Sequence, residues 1–158
     1  MSNPMHQAKQ AERRIDCLLI PLRDRQLLLP NSAVAEVVPF SHLLMSDMDV
    51  NWVLGKLDWR GSLVPAICYE LLSEQSPPEP NPDARFIIMN TTGTDNELTF
   101  YAVLVQGIPR LLHIQQDDLQ EVESVMTGQY DKMAVSMPGL NAVIPDLDAI
   151  EHTLSQHL

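Results

Sequence analysis

The chain has 158 residues, is 45% hydrophobic and carries a formal net charge of −11. This length and hydrophobic content are typical of a globular domain with a substantial core, and they exclude a largely disordered chain. The charge repels polyanions, so nucleic acids and anionic lipid surfaces are excluded as partners; it serves solubility or favours a basic partner surface.

The composition also gives expectations about the cellular compartment. No apolar run approaches the roughly 20 residues that a membrane-spanning helix needs. The polar N-terminus lacks the apolar region of a secretory signal, so we predict a cytoplasmic protein with a flexible N-terminal tail at residues 1–14. Cys17 and Cys68 lie in apolar runs without metal-binding neighbours, which predicts buried free thiols.

Short apolar runs separated by turn residues predict a mostly β fold in the first half of the chain. Residues 16–22 and 26–29 flank a polar turn, which predicts a hairpin. Residues 40–53 are mixed in character and predict a loop with a turn of helix. Residues 63–67 predict a strand, in which Pro65 indicates an edge position or a bulge.

The segment at residues 73–84 is the clearest break in this pattern. It contains Pro77, Pro78, Pro80 and Pro82, which exclude both helix and central strand. We therefore predict an extended surface linker and place the boundary between two lobes near 73–84.

The second half continues the β pattern. Its apolar runs predict two further hairpins, formed by 85–91 with 99–105 and by 132–136 with 140–144. Residues 108–114 predict another strand, and the acidic residues 115–123 predict a short helix.

The chain closes with a predicted helix that begins at Asp146, a good N-cap residue. Leu147, Ile150, Leu154 and Leu158 fall on one face of this helix, so we expect that face to dock onto a β lobe. Many short strands, a central proline linker and a closing helix predict two small β-barrels, each too small to be stable alone.

No catalytic or metal-binding constellation is visible. The five histidines lack the spacing of a zinc site, and there is no glycine-rich phosphate loop or nucleophile elbow. An enzyme with Cys68 as nucleophile and His113 as base is a further alternative, but no neighbouring residue would lower the pKa of the thiol. We therefore predict no enzymatic activity, no cofactor and no metal.

The most informative stretch runs from Gly55 to Pro65 and reads Gly-Lys-Leu-Asp-Trp-Arg-Gly-Ser-Leu-Val-Pro. It resembles the signature turn of the CheW-like family of chemosensory adaptor domains. That family has a glycine, an apolar stretch, an Arg-Gly pair and an apolar-Pro-apolar strand, and Arg60, Gly61 and Val64 stand at the matching positions.

The resemblance covers nearly the whole chain and implies one CheW-like domain at residues 15–158. It implies a mostly β fold of two SH3-like five-stranded β-barrel lobes with short helices and a C-terminal helix. The family's opening strand, tight turn, second strand and Val-x-Glu segment match residues 18–20, 23–25, 27–29 and 34–36.

The resemblance implies a protein-interaction site beside a receptor-binding groove, formed by Val34, Glu36, Gly55, Arg60, Gly61 and Val64. Gly61 permits a backbone corner that a Cβ would hinder, and the planar guanidinium of Arg60 suits the carboxylate of Glu36. Without the resemblance, Glu36 and Arg60 would be interpreted as two exposed charges that do not contact each other. Val34 is open to interpretation as core, and Val64 fits a core role and an interface role equally well.

The implied function is that of a non-enzymatic adaptor. It would couple the cytoplasmic tip of a chemoreceptor to the regulatory domain of a CheA-like histidine kinase, in chemotaxis or twitching motility, with recruitment to membrane receptor arrays. Trp59 resembles accessory, ChpC-like members of pilus-type systems, so main and accessory roles both stay open. The alternative is a small-molecule-binding β-barrel, which needs a cavity with converging polar groups.

Overall fold

The structure is a computed structural model that describes residues 14–93, 98–123 and 128–158. The fold is mostly β, as the sequence predicted. Its strands are β1 (Arg14–Pro21), β2 (Gln26–Pro30), β3 (Val34–Pro39), β4 (Val53–Trp59), β5 (Ser62–Ile67), β6 (Arg85–Asn90), β7 (Phe100–Val105), β8 (Arg110–Gln115), β9 (Gln120–Glu121), β10 (Asp131–Met137) and β11 (Leu140–Pro145). Its α-helices are α1 (Tyr69–Leu72) and α2 (Leu147–Ser155).

Arg14 opens β1, and the rest of the predicted N-terminal tail lies outside the described residues. Within the three described stretches, no helix is long and apolar enough to cross a membrane.

The strands form two sheets. A six-stranded sheet has the order β8-β1-β2-β11-β10-β9, and a five-stranded sheet has the order β3-β6-β7-β5-β4. The predicted hairpins β1–β2, β6–β7 and β10–β11 are antiparallel pairs. The helix predicted at 115–123 is wrong, because this segment forms a 3₁₀ turn (Gln116–Asp118) followed by the short strand β9.

The strands of the five-stranded sheet are inserted in the chain between the first two and the last four strands of the six-stranded sheet. The first two strands and the last four build the six-stranded sheet, whereas β3 to β7 build the five-stranded sheet. The segment 73–84 connects α1 to β6, and the strands on either side of it belong to the same sheet. The sheets therefore do not divide near 73–84, because a proline-rich segment marks a break in local structure and does not decide which strands pair.

Both sheets curl so that their opposite edges approach each other, which is the geometry of small barrels. The edge strands β8 and β9 are consecutive in the chain and are separated by little more than one 3₁₀ turn. The edge strands β3 and β4 are joined by a hydrogen bond from Trp59 Nε1 to Glu36 Oε2. The five-stranded sheet has the predicted strand number, and the other sheet gains the two-residue β9.

Three apolar clusters fill the part of the chain that the structure describes. One belongs to the six-stranded sheet and comprises Cys17, Leu19, Leu28, Val135, Met137 and Ala142. A second belongs to the five-stranded sheet and comprises Leu57, Val64, Ala66, Phe86, Ile88 and Ala102. The largest lies between the sheets and takes side chains from both, and from both helices, including Ile20, Ile67, Tyr69, Ile87 and Leu154. Each lobe thus shares part of its core with the other, and the expectation that neither is stable alone stays a prediction.

Helix α2 closes the core between the sheets. Asp146 caps it as predicted, since the Ala149 N–H donates to Asp146 Oδ1 at 3.1 Å. Ile150 and Leu154 are buried at 3% and 0% exposure, whereas Leu158 lies beyond the helix and is 51% exposed. The apolar stripe that docks is therefore shorter than the sequence pattern predicted.

A buried carboxylate links the two sheets at one point. Asp131 accepts hydrogen bonds from Arg25 Nη1 at 2.6 Å, from the Gly128 N–H at 2.9 Å and from the Tyr69 hydroxyl. Arg25 lies in the β1–β2 turn, and Tyr69 lies in α1 after the five-stranded sheet's β5. Burial by itself raises the pKa of Asp131, but these donors outweigh burial and hold the pKa below its ordinary value.

Candidate protein-interaction site

Arg60 and Gly61 form the two-residue turn of the β4–β5 hairpin. Trp59 pairs with Ser62 across the turn, and the φ angles are +51° at Arg60 and +79° at Gly61. Positive φ at both central residues is typical of a type I′ turn, which matches the twist of the paired strands. Gly61 adopts this backbone freely, so the predicted corner is present, whereas Arg60 is a strained non-glycine residue with 71% of its side chain exposed.

Glu36 lies on β3 and meets this turn where the curled sheet brings its opposite edges together. Its Oε2 accepts from Trp59 Nε1 at 2.5 Å, and its Oε1 lies 3.4 Å from Arg60 Nη2. The structure therefore brings the two predicted charges together. The hydrogen bond from Trp59 is the main cause that lowers the pKa of Glu36, and Arg60 contributes less. Sequence reasoning did not identify Trp59 as the partner of Glu36.

Trp59 is held by two aromatic contacts as well. Its ring packs edge-on against Phe100, with centroids 4.9 Å apart and an interplanar angle of 63°. The guanidinium carbon of Arg60 lies over the same ring, 5.1 Å from its centroid, which is a cation–π distance. We call Glu36, Trp59, Arg60 and Phe100 the Trp59 cluster.

Gly55 has a backbone role. It has φ +150°, and a Cβ there would lie 2.5 Å from the Leu44 carbonyl oxygen and 2.9 Å from Leu43 Cβ. This space allows Leu44 and Lys56 to exchange two backbone hydrogen bonds of 2.8 Å each. Gly55 thus positions the loop that carries the exposed Met45, and it has no side chain to offer a partner.

The two valines of the predicted site are packed. Val64 is 4% exposed and contacts the apolar cluster of the five-stranded sheet, which fits its interpretation as core. Val34 is partly buried against the cluster between the sheets. Of the six predicted residues, Glu36, Arg60 and Gly61 meet at one place, Gly55 supports the adjoining loop, and the valines stabilise the lobe.

Large apolar side chains are exposed on the loop after β3 and on the β4–β5 hairpin, both parts of the same lobe. They are Phe40, Leu44, Met45, Leu54 and Leu63. Single exposed apolar residues are ordinary on protein surfaces, whereas a contiguous apolar patch is typical of a surface that contacts another protein. These five residues make the lobe a candidate for such a contact.

Cys68 and His113, the candidate catalytic residues, contact other side chains: Cys68 contacts Glu70, and His113 contacts Asp16. Burial raises the pKa of the Cys68 thiol to about 12, which disfavours the reactive thiolate. His113 Nδ1 lies 2.6 Å from Asp16 Oδ1 on the neighbouring strand. Among the described residues, no group of three or more His, Cys, Asp or Glu side chains is placed to hold a metal ion.

Among the described residues, the free volume lies in surface grooves and not in the core between the sheets. One surface groove of about 510 Å³ is lined by Phe40, Leu104 and the proline-rich residues 78–82, and another of about 490 Å³ has polar walls that include Gln75 and Gln129. Inside the core between the sheets the free space is only about 10 Å³. That interior has no room for a small molecule, since ligand pockets usually measure several hundred Å³.

The comparisons with known proteins agree with this description. Residues 16–153 match the CheW-like domain model. The structure is similar to the crystal structure of the scaffolding protein TtCheW from Thermoanaerobacter tengcongensis, with a TM-score of 0.71 and 16% sequence identity over 83% of this chain and 88% of that chain. A comparison with curated proteins finds no match. At this identity the structural likeness shows the fold alone, but the family model spans most of the sequence, and the chain belongs to the CheW-like domain family.

Proposed function

We propose that this chain is a non-enzymatic adaptor that couples the cytoplasmic tip of a chemoreceptor to the regulatory domain of a CheA-like histidine kinase. The observation that carries the proposal is the match of residues 16–153 to the CheW-like domain model. The contact residue that we assign is Arg60, which is exposed on a strained hairpin turn. Non-glycine residues at such backbone angles are uncommon, and they cluster at functional sites.

The proposed mechanism is bridging. A bridging adaptor needs two contact surfaces whose relative orientation is fixed, so that a small shift of the receptor reaches the kinase. The apolar core between the sheets and the Asp131 contacts supply this rigidity. Each contact is expected to be small and transient, with avidity in a receptor array adding to its strength.

The proposed location is the cytoplasm, with recruitment to membrane receptor arrays. Within this proposal, an accessory, ChpC-like place in a pilus-type system that controls twitching motility and the role of main adaptor both stay open. Only the resemblance of Trp59 to accessory members favours the first.

The Arg60→Ala variant tests the proposal. We expect it to fold with a free energy of unfolding within about 1 kcal/mol of the wild type, because exposed ion pairs contribute no more than that. Its affinity for the receptor tip should fall about tenfold or more, a loss of about 1.4 kcal/mol. Calorimetric titration with a receptor-tip fragment from the same genome, together with thermal melting, measures both quantities.

Two control variants separate charge from backbone strain. Arg60→Asn tolerates the left-handed backbone better, so it should be at least as stable as the wild type and bind as weakly as Arg60→Ala. Arg110→Ala removes an exposed arginine from the other sheet and should bind normally. Unchanged receptor affinity together with an unchanged signalling phenotype in Arg60→Ala would contradict the proposal.

A further inference from the structure

Glu36 is shared unequally between its two donors. Trp59 Nε1 lies 2.5 Å from one carboxylate oxygen, whereas Arg60 Nη2 lies 3.4 Å from the other. An arginine that binds a carboxylate with its full fork makes two parallel hydrogen bonds of about 2.7–2.9 Å. Arg60 instead makes a single long contact with one oxygen, and the indole donates the short hydrogen bond to the other.

The position of Arg60 is nevertheless well defined. Its guanidinium stacks over the Trp59 ring at 5.1 Å, and that ring is held by Glu36 on one side and by Phe100 on another. Stacking uses the face of the guanidinium and leaves most of its N–H edge available. With 71% of the side chain exposed, this edge is open to a partner molecule.

We propose that Trp59 is a positioning residue that occupies Glu36 and so leaves the Arg60 guanidinium free to bind a carboxylate on the receptor tip. Without the indole N–H, we expect Glu36 and Arg60 to form a tighter pair, in which Glu36 competes with an acidic partner side chain for the guanidinium N–H groups. This inference rests on the proposed adaptor function and adds the chemistry of the receptor group that Arg60 recognises.

The matched test is Trp59→Phe, which keeps an aromatic ring for Phe100 and Arg60 and removes the indole N–H together with part of the ring system. We expect Arg60 to close onto Glu36, so that the side-chain N–H signals of Arg60 exchange more slowly with water in NMR spectra. The affinity for a receptor-tip fragment from the same genome should fall about tenfold. The double variant Trp59→Phe/Glu36→Gln should recover most of this loss, because the competing carboxylate is gone.

The receptor side supplies the complementary test. Each acidic residue of the tip fragment is replaced in turn by its amide. One replacement should weaken binding of the wild-type chain about tenfold but leave binding of Arg60→Ala unchanged, which is the signature of a direct pair in a double-mutant cycle. Additive losses for every acidic residue would overturn the inference.

The outcomes separate this inference from the proposed function. Normal binding by Trp59→Phe, or no recovery in the double variant, overturns the inference and leaves the adaptor proposal standing. No binding of the folded wild-type chain at about millimolar receptor tip, where an interaction of about 4 kcal/mol is detectable, overturns both. If Trp59→Phe does not fold, the pKa of Glu36 in Arg60→Ala decides: a value that stays low supports the inference, and a return to the ordinary value overturns it.

Discussion

Replacing Ile150 by aspartate is expected to lower the free energy of unfolding by about 4 kcal/mol or more, which is a large part of the stability of an ordinary domain. Ile150 is 3% exposed and packs in the cluster between the two sheets. An aspartate there would be a buried charge without a partner. Urea unfolding followed by circular dichroism measures the loss.

Leu158 provides the matched control for this prediction. It belongs to the same apolar stripe of the sequence but is 51% exposed, so Leu158→Asp should change the unfolding free energy by no more than about 0.5 kcal/mol. Wild-type melting of Ile150→Asp would show that α2 is not docked on the core.

Replacing Asp131 by alanine is expected to lower the free energy of unfolding by about 3 kcal/mol. Removing one partner of a buried ion pair leaves the other without compensation, and such losses are typically about 3–5 kcal/mol. The lower value applies because the Arg25 side chain is 24% exposed and reaches water. The Tyr69 hydroxyl also loses its carboxylate acceptor. Asp24→Ala, at a carboxylate with 82% exposure, serves as the control and should have little effect.

The contribution of Asp131 should also depend on pH. Its folded-state pKa lies below the ordinary value, so its ionised form stabilises the fold above the unfolded-state pKa of about 4. This stabilisation is lost as the pH falls through the folded-state pKa. The difference in unfolding free energy between the wild type and Asp131→Asn should therefore shrink on acidification below about pH 4. A difference that stays constant over this range would show that the Asp131 charge is not what stabilises the link.

The features that the sequence predicted well have local causes. The hairpins follow from alternating apolar runs around short turns, and the start of α2 follows from an N-cap residue before an apolar stripe. The insertion of one sheet into the chain of the other could not be predicted from a local pattern. It depends on the pairing of β1 with β8, which brings together Asp16 and His113, 97 positions apart. Pairings at this separation depend on the packing of the whole chain.

The same distinction holds in the candidate site. The Arg60-Gly61 corner is a local turn and could be predicted, whereas its contact with Glu36 followed only from the resemblance to a family. The Trp59 hydrogen bond depends on the curl that brings the edges β3 and β4 together, which no short pattern encodes. The tryptophan itself was nevertheless a usable signal for a hydrogen bond at this place, because a partly buried indole N–H generally finds an acceptor.

The most direct test of the adaptor function is an NMR titration of the labelled chain with the regulatory domain of a CheA-like kinase from the same genome, followed by the receptor tip. Bridging predicts saturable shifts confined to one lobe with the kinase domain. It also predicts a second, separate set with the receptor tip that includes the Trp59 indole, and both sets together in the ternary mixture. No shifts with either partner at about millimolar concentration, or displacement of one partner by the other, would contradict the account.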